Sequence, residues 1–291
     1  MQPTARPVTS HLEVFMLFTE VQPVHAAAVR AANLLASALD PVDTGVRWRE
    51  GMAWRSESCP AYQPVDPCVD PADYPPASTD DIVYYKPSGF RVYDTCSSRN
   101  VGRDIQRVVR LADAATSYAM ANELWTGVGT KANPYDTPTG DTGITNAYLA
   151  GTSATVITDT AADPMEALGI LEEHARRQAA GQIVFLHVPP RIVTQLGAQL
   201  RRIGNLIYTQ TDAVVVADPG YPGTGPDGSA GTPPGVWCYA TGPVIKRVDE
   251  IVAINEASVT LDRRTNQRTI WAERMFAATF DPCCHFALQI S

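Results

Sequence analysis

The sequence predicts an α+β fold, and three observations lead to that prediction. A long helical pattern runs from Val101 to Trp125 and ends in a Thr-Gly pair. Strand patterns dominate residues 240–291, which form two arms around a polar turn at Arg264-Thr265-Asn266. A proline-rich stretch over residues 40–76 precedes both. Because no reactive cluster lies between the helix and the strands, the sequence favours a protein that assembles over one that catalyses.

The composition limits the class of protein. The chain has 291 residues, of which 45% are hydrophobic and 19% charged, as in a globular protein and unlike a disordered or membrane protein. The formal net charge of -8 disfavours a general nucleic-acid binder, which needs a concentrated basic surface. The apolar run Leu12 to Phe18 contains Glu13 and follows no basic leader beyond Arg6, so we expect neither a secretory signal nor a membrane span.

The N-terminal third predicts a helix, an extended arm and a hairpin. Residues 13–39 have a helical composition. Prolines recur from Asp40 to Pro76 and cannot continue that helix, which predicts an extended arm. Ile82 to Tyr85 and Phe90 to Tyr93 then flank Lys86-Pro87-Ser88-Gly89, and this pattern predicts a hairpin.

Two longer helices follow. In the first, Val101 to Trp125, apolar residues recur at helical spacing, and Gly127 and Gly129 are expected to stop it. The second runs from Asp163 or Pro164 to Ala180, with an aspartate placed to cap it, a proline in its first turn and a glycine after its end. Both patterns are strong because the apolar period and the end signals agree.

The remaining chain predicts short strands around one more helix. Pro189-Pro190 opens that helix, which extends to Leu200. The predicted strands are Ile183–His187, Leu206–Tyr208, Ala213–Ala217, Val236–Tyr239, Val244–Val248, Ile251–Ile254 and the terminal pair, with Ala257, Val259 and Leu261 on one face of its first arm and Gln267 towards Phe280 as its second. Pro219 to Gly235 is too rich in glycine and proline for a packed element, so it predicts a functional or interface loop.

Two glycine patterns resemble a dinucleotide fingerprint, Gly127-x-Gly129-x-x-Ala132 and Gly223-x-Gly225-x-x-Gly228. That fingerprint works only between a strand and a helix N-terminus, where backbone N–H groups face the pyrophosphate. The first pattern follows a helix and the second leads into a Pro-Pro pair, so we interpret both as turn-forming glycines.

The cysteines and histidines do not predict a site either. Cys283-Cys284-His285 offers good zinc ligands, but adjacent cysteines on a strand point to opposite faces and no second ligand pair lies nearby. The sequence has no G-x-S-x-G elbow. His174 beside Glu172 and Glu173 is expected on a solvated helix face, and His187 at a strand end. We therefore assign no catalytic, cofactor-binding or metal-binding residue, no cofactor and no enzymatic activity.

Four segments carry a resemblance to a known family. They are the helix end Glu123-Leu124-Trp125-Thr126-Gly127, the loop Gly220-Tyr221-Pro222-Gly223-Thr224-Gly225-Pro226, the segment Ala240-Thr241-Gly242-Pro243-Val244, and Trp271-Ala272-Glu273-Arg274 followed by Phe280-Asp281-Pro282-Cys283. In their order and spacing, from about Trp48 to the C-terminus, they resemble the Hong Kong 97-type capsid fold. The closer likeness is to major capsid proteins of actinobacterial siphophages.

The resemblance implies a division of the chain into five segments. They are an N-terminal helical arm (1–45), an extended loop region (46–100), the spine helix and peripheral domain (101–182), the axial domain (183–248) and C-terminal strands that return to the peripheral domain (249–291). It also implies self-assembly into the hexamers and pentamers of an icosahedral shell around double-stranded DNA. Scaffolding, portal and decoration proteins would be partners, with weak non-specific DNA contact and no membrane.

The resemblance also implies a location and a candidate crosslink, and the cysteine content gives a hypothesis about a disulfide. The chain would be assembled in the bacterial host cytoplasm and reside in the virion. Some such capsids crosslink through a lysine, and Lys86 is the candidate here, although we expect denaturing gels to show monomer. Cysteines are reduced by default in a cytosol, and we hypothesise that Cys59, Cys68 or Cys96 forms a bridge after particle release.

The two rivals are an encapsulin-like compartment and a soluble enzyme. The compartment would share the fold but enclose a protein cargo. The enzyme would depend on cysteine chemistry or bind a cofactor, and would have to unite Cys238, Cys283 and His285 in one concave site.

Overall fold

The computed structural model describes residues 33–40, 48–55, 82–97, 101–136, 140–159, 163–179, 181–228, 235–254, 261–262, 264 and 267–290. The helices are α1 (Leu34–Ser37), α2 (Val101–Thr126), α3 (Val128–Ala132), α4 (Pro164–Ala179) and α5 (Pro190–Leu196). The strands are β1 (Met52–Arg55), β2 (Ile82–Tyr85), β3 (Ser88–Ser97), β4 (Thr155–Val156), β5 (Phe185–Val188), β6 (Arg201–Ile203), β7 (Leu206–Tyr208), β8 (Val214–Ala217), β9 (Val236–Thr241), β10 (Val244–Val248), β11 (Val252–Ile254), β12 (Leu261–Asp262), β13 (Gln267–Phe280) and β14 (His285–Ile290).

The largest sheet has seven strands in the order β4-β14-β9-β5-β8-β7-β6. The central strands β5 and β8 run parallel, from Phe185↔Val214 to Val188↔Ala217. All four residues of β5 are buried, because helices cover both faces of this sheet. On one face lie α4 and α5 with their apolar residues, and on the other lies the C-terminal half of α2.

A second sheet is built on β13, which is 14 residues long. One edge of β13 pairs with β3 along ten registered residue pairs, from Gln267↔Ser97 to Phe276↔Ser88. Its other edge takes β10, β11 and β12 in turn. The terminal pair predicted from the sequence is confirmed where it is described, because β12 and β13 pair antiparallel around the predicted turn. Residues 255–260, which include Ala257 and Val259, lie outside the described residues.

Helix α2 joins the two sheets. Its first half packs Val108 and Ala112 on Ile270 and Ala272 of β13. Its second half lies under the seven-stranded sheet, where Trp125 is completely buried. The helix predicted over Val101 to Trp125 is thus confirmed to within one residue. Both sheets pack against it.

The end of α2 differs from the prediction in one detail. Gly127 stops the helix with φ of 61°, a left-handed conformation that glycine adopts without strain. Gly129 does not stop it, because it lies inside α3, which begins immediately afterwards. The carboxylate of Glu123 accepts hydrogen bonds from Gly129 N at 2.6 Å and Thr130 N at 3.0 Å, so the first turn of α3 is capped by α2 itself.

Helix α4 follows its sequence signals closely. Asp163 Oδ1 accepts from Met165 N at 2.7 Å, and the helix begins at Pro164 as predicted. Glu172 was expected to be surface charge, and this is wrong. The Glu172 side chain is buried and accepts from Arg176 Nε at 2.7 Å and from Thr211 Oγ1 at 2.5 Å. Arg176 and Thr211 supply the partners that a buried carboxylate needs.

The predicted hairpin over residues 82–93 is wrong. β2 pairs with β1, with Met52 opposite Tyr85, while β3 pairs with β13. The amide of Asn146 explains the crossing, since its Oδ1 accepts from Lys86 N at 2.8 Å and its Nδ2 donates to Lys86 O at 2.7 Å. These bonds hold the chain at Lys86 as it crosses from the β1–β2 pair to the β13 sheet. A hairpin would instead need a tight turn between β2 and β3.

The helix predicted over residues 13–39 is described only from Asn33 onward, and there it is wrong in extent. Asn33 caps α1, which covers four residues. Leu39 is extended, and its N–H donates to Val244 O at 2.8 Å. Residues 13–32 lie outside the described residues.

The shorter predicted elements are mostly confirmed. The strands predicted over residues 206–208, 213–217, 236–239, 244–248 and 251–254 are found as β7 to β11, with ends shifted by at most two residues. α5 ends at Leu196 and continues as a 3-10 turn over Gly197–Gln199. Within the described ranges, no helix combines the length and the apolar character needed to cross a membrane.

Candidate assembly surfaces

The segments that carry the family resemblance come together in space. Trp125 Nε1 donates to Thr224 O at 3.1 Å, and its ring lies 4.9 Å from the rings of both Tyr221 and Tyr239. Tyr239 Oη donates to the same Thr224 carbonyl at 3.0 Å. The helix-end motif and the glycine-rich loop motif therefore form one packed unit.

Asp218 ties three segments to one carboxylate. Its Oδ2 accepts from Ser117 Oγ of α2 at 2.6 Å and from Leu34 N at the start of α1 at 3.1 Å. Its Oδ1 accepts from Gly220 N at 3.0 Å. Burial raises the pKa of Asp218, and the three hydrogen bonds oppose that shift. The arrangement fixes residues 33–40 on helix α2.

A second set of bonds holds the same N-terminal segment on β10. Lys246 N donates to Leu39 O at 2.8 Å, and Lys246 Nζ donates to Leu35 O at 2.6 Å. Residues 33–40 are thus fixed at both ends, by Asp218 at the start and by β10 at the end. The predicted N-terminal arm would therefore be attached to the rest of the fold at residues 33–40.

His187 sits in a closed hydrogen-bond network and not at an accessible strand end. Thr241 Oγ1 donates to Gly242 O at 2.9 Å, which uses its only hydrogen, so it accepts from His187 Nε2 at 3.0 Å. Tyr221 Oη then donates to His187 Nδ1 at 2.9 Å. Burial, together with the nearby His285, lowers the pKa of His187 to about 3. The imidazole is a neutral structural group with no access for a substrate.

Among the described residues, Cys238, Cys284 and His285 are each buried. His285 Nε2 donates to Leu149 O at 2.9 Å, and Cys284 is buried, with its pKa raised to about 12 by burial. Cys238 pairs with Leu288 on the face of the sheet opposite His285. Cys283 is disulfide-bonded, with its partner outside the described side chains. In the described part of the chain no three metal-binding side chains cluster.

The two glycine motifs have structural roles where they are described. A Cβ on Gly129 would lie 2.9 Å from Glu123 Oε2, so glycine lets this carboxylate approach the turn. Gly223 has φ of 78° and lies against Pro189 and Val236. The N–H groups that a phosphate would need at the first motif are already bonded to Glu123. Residues 229–234 of the second loop lie outside the described residues.

Ion pairs fasten α2 to the β13 sheet. A nitrogen of the Arg274 guanidinium donates to Asp113 Oδ1 at 3.0 Å and to Thr116 Oγ1 at 2.7 Å. Further towards the N-terminus of the helix, Arg107 lies 3.1 Å from Asp94 of β3. These contacts make the helix and the sheet a stiff unit, because guanidinium groups hold carboxylates in fixed geometry.

A groove of about 570 Å³ lies at the base of the β1–β2 pair. Its walls include Glu50, Met52, Lys86, Tyr135 and Asp136. Tyr135 Oη donates to Tyr84 O at 3.0 Å, and burial raises the pKa of Tyr135 to about 12. The Lys86 ammonium lies 5.9 Å from the centre of the Tyr135 ring. The groove lies at the end of the β1–β2 ladder where Met52 pairs with Tyr85.

Two further surfaces expose apolar side chains. The face of the β13 sheet opposite α2 exposes Tyr93 (74%), Val252 (55%) and Met275 (37%). At the edge of the seven-stranded sheet, all three residues of β6 are exposed, including Ile203 at 57%. Monomeric proteins rarely group exposed apolar side chains on an uncovered sheet face or edge strand, so both surfaces suit contact with another chain.

Asp218, Asn146 and Glu123 were not predicted from the sequence. Asp218 and Asn146 bind backbone groups far along the chain, whereas sequence patterns report only local spacing. Glu123 binds the N–H groups of Gly129 and Thr130 in the next helix, a contact that its spacing alone does not indicate. One signal was present for Asp218, which directly follows the buried valine run and precedes Pro219, a place where a strand ends and a carboxylate needs partners.

Neither a protein-family model nor a curated protein matches the sequence. Solved structures do resemble the fold. A chain of Mycobacterium phage Ogopogo is 13% identical, with a TM-score of 0.52, and the match covers 90% of this chain and 92% of that one. The capsid of a native GTA particle is 10% identical, with a TM-score of 0.50 and 90% of each chain covered.

An encapsulin complex from Synechococcus elongatus is 8% identical, with a TM-score of 0.46, and the match covers 72% of this chain and 76% of that one. At that score the likeness does not bear on what the chain encloses. The two stronger matches span almost the whole of both chains and agree with the resemblance in sequence. The chain has the Hong Kong 97-type capsid fold.

Proposed function

We propose that this chain is the major capsid protein of a tailed bacteriophage. In this proposal it self-assembles into hexamers and pentamers of an icosahedral shell that encloses double-stranded DNA. The observation that carries the proposal is the match to a particle capsid over 90% of both chains. The absence of a converging catalytic group in the described residues is compatible with a structural role.

The surfaces of the chain support this assignment physically. A shell subunit needs different surfaces on its two sides, so that each copy binds the next and the ring closes. The β13 face with Tyr93, the β6 edge with Ile203 and the groove at the β1–β2 base are three distinct surfaces that an isolated chain would leave uncovered. Each gains stability when an adjoining copy excludes water from it.

The proposal keeps the five segments inferred from the resemblance, although several elements pair across their bounds. The segments are the N-terminal arm (1–45), the extended loop region (46–100), the spine helix and peripheral domain (101–182), the axial domain (183–248) and the C-terminal strands (249–291). Elements β4 and α4 of the third segment and β14 of the fifth pack in or on the seven-stranded sheet, whereas β10 of the fourth pairs with β13. The peripheral domain would therefore receive β10 to β13 and not β4, α4 or β14.

The proposed partners and location follow from the same assignment. Scaffolding, portal and decoration proteins would bind the shell, and the chain would reside in the virion after assembly in the bacterial host cytoplasm. DNA would touch the inner wall weakly, since a chain with net charge -8 offers little counterion release. We propose no enzymatic activity.

Expression of the chain in a bacterium, followed by negative-stain electron microscopy and sizing, tests the proposal. We expect closed shells or the sheets and tubes of capsomers that shell proteins form without their partners. Particles from infected cells should contain double-stranded DNA. A protein cargo in place of DNA would favour the encapsulin-like alternative, and a chain that stays monomeric would contradict both.

A further inference from the structure

The groove at the base of the β1–β2 pair has the charge and shape of a receptor for a cationic side chain. Glu50 and Asp136 contribute two carboxylates and Lys86 one ammonium, so the groove carries a net negative charge. The Lys86 ammonium lies 5.9 Å from the Tyr135 ring centre, so this aromatic wall already attracts a cation. Its volume of about 570 Å³ is within the range of about 300–1,000 Å³ that binding sites span.

The neighbouring contacts leave Glu50 available. The adjacent Arg49 is paired with Asp249 at 2.5 Å, so it does not neutralise Glu50. Glu50 itself is exposed, and among the described side chains no cation is paired with it. Asp136 accepts one weak bond, from Gly143 N at 3.2 Å. Two carboxylates that line the same groove favour a guanidinium, which offers several N–H donors in a planar fork.

The β6 edge carries a matching cation. Arg201 pairs with Asp212, whereas Arg202 has no ion pair to any described residue. Arg202 is exposed beside Ile203, and β6 is the last strand of its sheet in the described part of the chain. The turn to β7 passes through Gly204, with φ of 60°, which makes β6 and β7 a short projecting hairpin.

We propose that the groove of one copy binds the β6 edge of a second copy, with Arg202 placed between Glu50 and Asp136. The groove and the β6 edge belong to different sheets, so the contact is heterologous and repeats from copy to copy. The inference rests on the proposed shell function and adds the pair of surfaces that joins adjacent subunits.

Charge reversal tests the contact. The variants are Glu50→Arg, Arg202→Glu and the double variant, with Glu250→Arg and Arg110→Glu as matched controls at exposed positions outside both surfaces. All four positions are exposed, so circular dichroism should show unchanged folding. Each single variant should lower the yield of particles by at least about tenfold, which corresponds to about 1.4 kcal/mol per contact. The double variant should restore it, and the controls should match the wild type.

A mixture of the two single variants gives a second readout that does not require closed shells. In the mixture, the groove of the Glu50→Arg variant can bind the β6 edge of the Arg202→Glu variant, because both charges are reversed. The mixture should therefore associate in sedimentation, while each variant alone stays dissociated. Wild-type chains that form no particles would contradict the proposed function, and the mixture would still report on the contact. Normal assembly of the single variants, or no recovery in the double variant and the mixture, would overturn the inference. Arg202 would then only protect an open strand edge.

Discussion

Single residues in this chain set how closely its elements approach one another. At Gly220 a Cβ would lie 2.5 Å from Tyr118 O and 2.9 Å from the Cβ of Ala121, so the loop after Asp218 touches the backbone of α2. Nearby, His187 Nδ1 accepts from Tyr221 Oη, and Asp218 Oδ1 accepts from the N–H of Gly220 itself. Each of these residues fixes a distance on which the packing of larger elements depends.

Replacement of Gly220 by alanine should destabilise the chain. The added methyl group would meet backbone atoms that cannot move without shifting α2, and overpacking of this kind costs about 1–3 kcal/mol. Chemical denaturation gives the free energy of unfolding. The matched control is Gly169→Ala in α4, where a Cβ meets nothing within 4 Å, and it should stabilise by up to about 1 kcal/mol. Equal effects of the two variants would contradict the close approach.

His187 should make the chain sensitive to acid. Its pKa is lowered to about 3 in the folded state, against an ordinary value of 6.5. Below pH 6.5 the unfolded chain takes up a proton that the folded chain does not bind, so stability falls as the pH falls from 6.5 towards 3. At pH 5 this loss amounts to about 2 kcal/mol.

The His187→Gln variant should lose less stability than the wild type between pH 7 and pH 5, because glutamine does not titrate. Urea denaturation at each pH measures the difference. A His187→Gln curve parallel to that of the wild type would show that the imidazole is not shielded in the folded state.

Among the elements, α2 and α4 were predicted well and the pairing of β2 and β3 was not. The helices carry a local apolar period with their own end signals, such as Asp163 and Gly127, so their limits follow from neighbouring residues. The partner of β3 is β13, almost 180 residues away, and no local pattern distinguishes that partner from β2. The side chain that decides the crossing, Asn146, is also distant in sequence. The assembly surfaces were implied only by the family resemblance, because exposure depends on the tertiary fold.

The attachment of the N-terminal segment to α2 depends on Asp218. In Asp218→Asn the side chain keeps one acceptor oxygen, so either the Gly220 N–H loses its partner or the Ser117 hydroxyl and the Leu34 N–H both lose theirs. Loss of a hydrogen bond to a charged group costs about 1.5–3 kcal/mol. Hydrogen exchange at the amides of residues 34–38 should accelerate more than exchange in α4. The exposed Asp212→Asn variant is the control, and unchanged exchange in Asp218→Asn would show that β10 alone holds the segment.

The described part of the chain holds a five-stranded and a seven-stranded sheet that α2 joins, and a separate β1–β2 pair. The large hydrophobic side chains around α2 are buried, and the buried imidazole of His187 has hydrogen-bond partners. The β13 face and the β6 edge, by contrast, expose apolar side chains, and the groove is open to solvent. A chain with a packed core and exposed apolar surfaces has the properties of a subunit, and its stability should rise with assembly.

Sedimentation velocity of the purified chain, over concentrations from micromolar upward, tests this account most directly. The account predicts that the protein leaves the 31.4 kDa species and enters rapidly sedimenting assemblies, which electron microscopy resolves as shells, tubes or sheets of capsomers. A single 31.4 kDa species at every concentration, with Tyr93 and Ile203 still exposed to solvent, would contradict it.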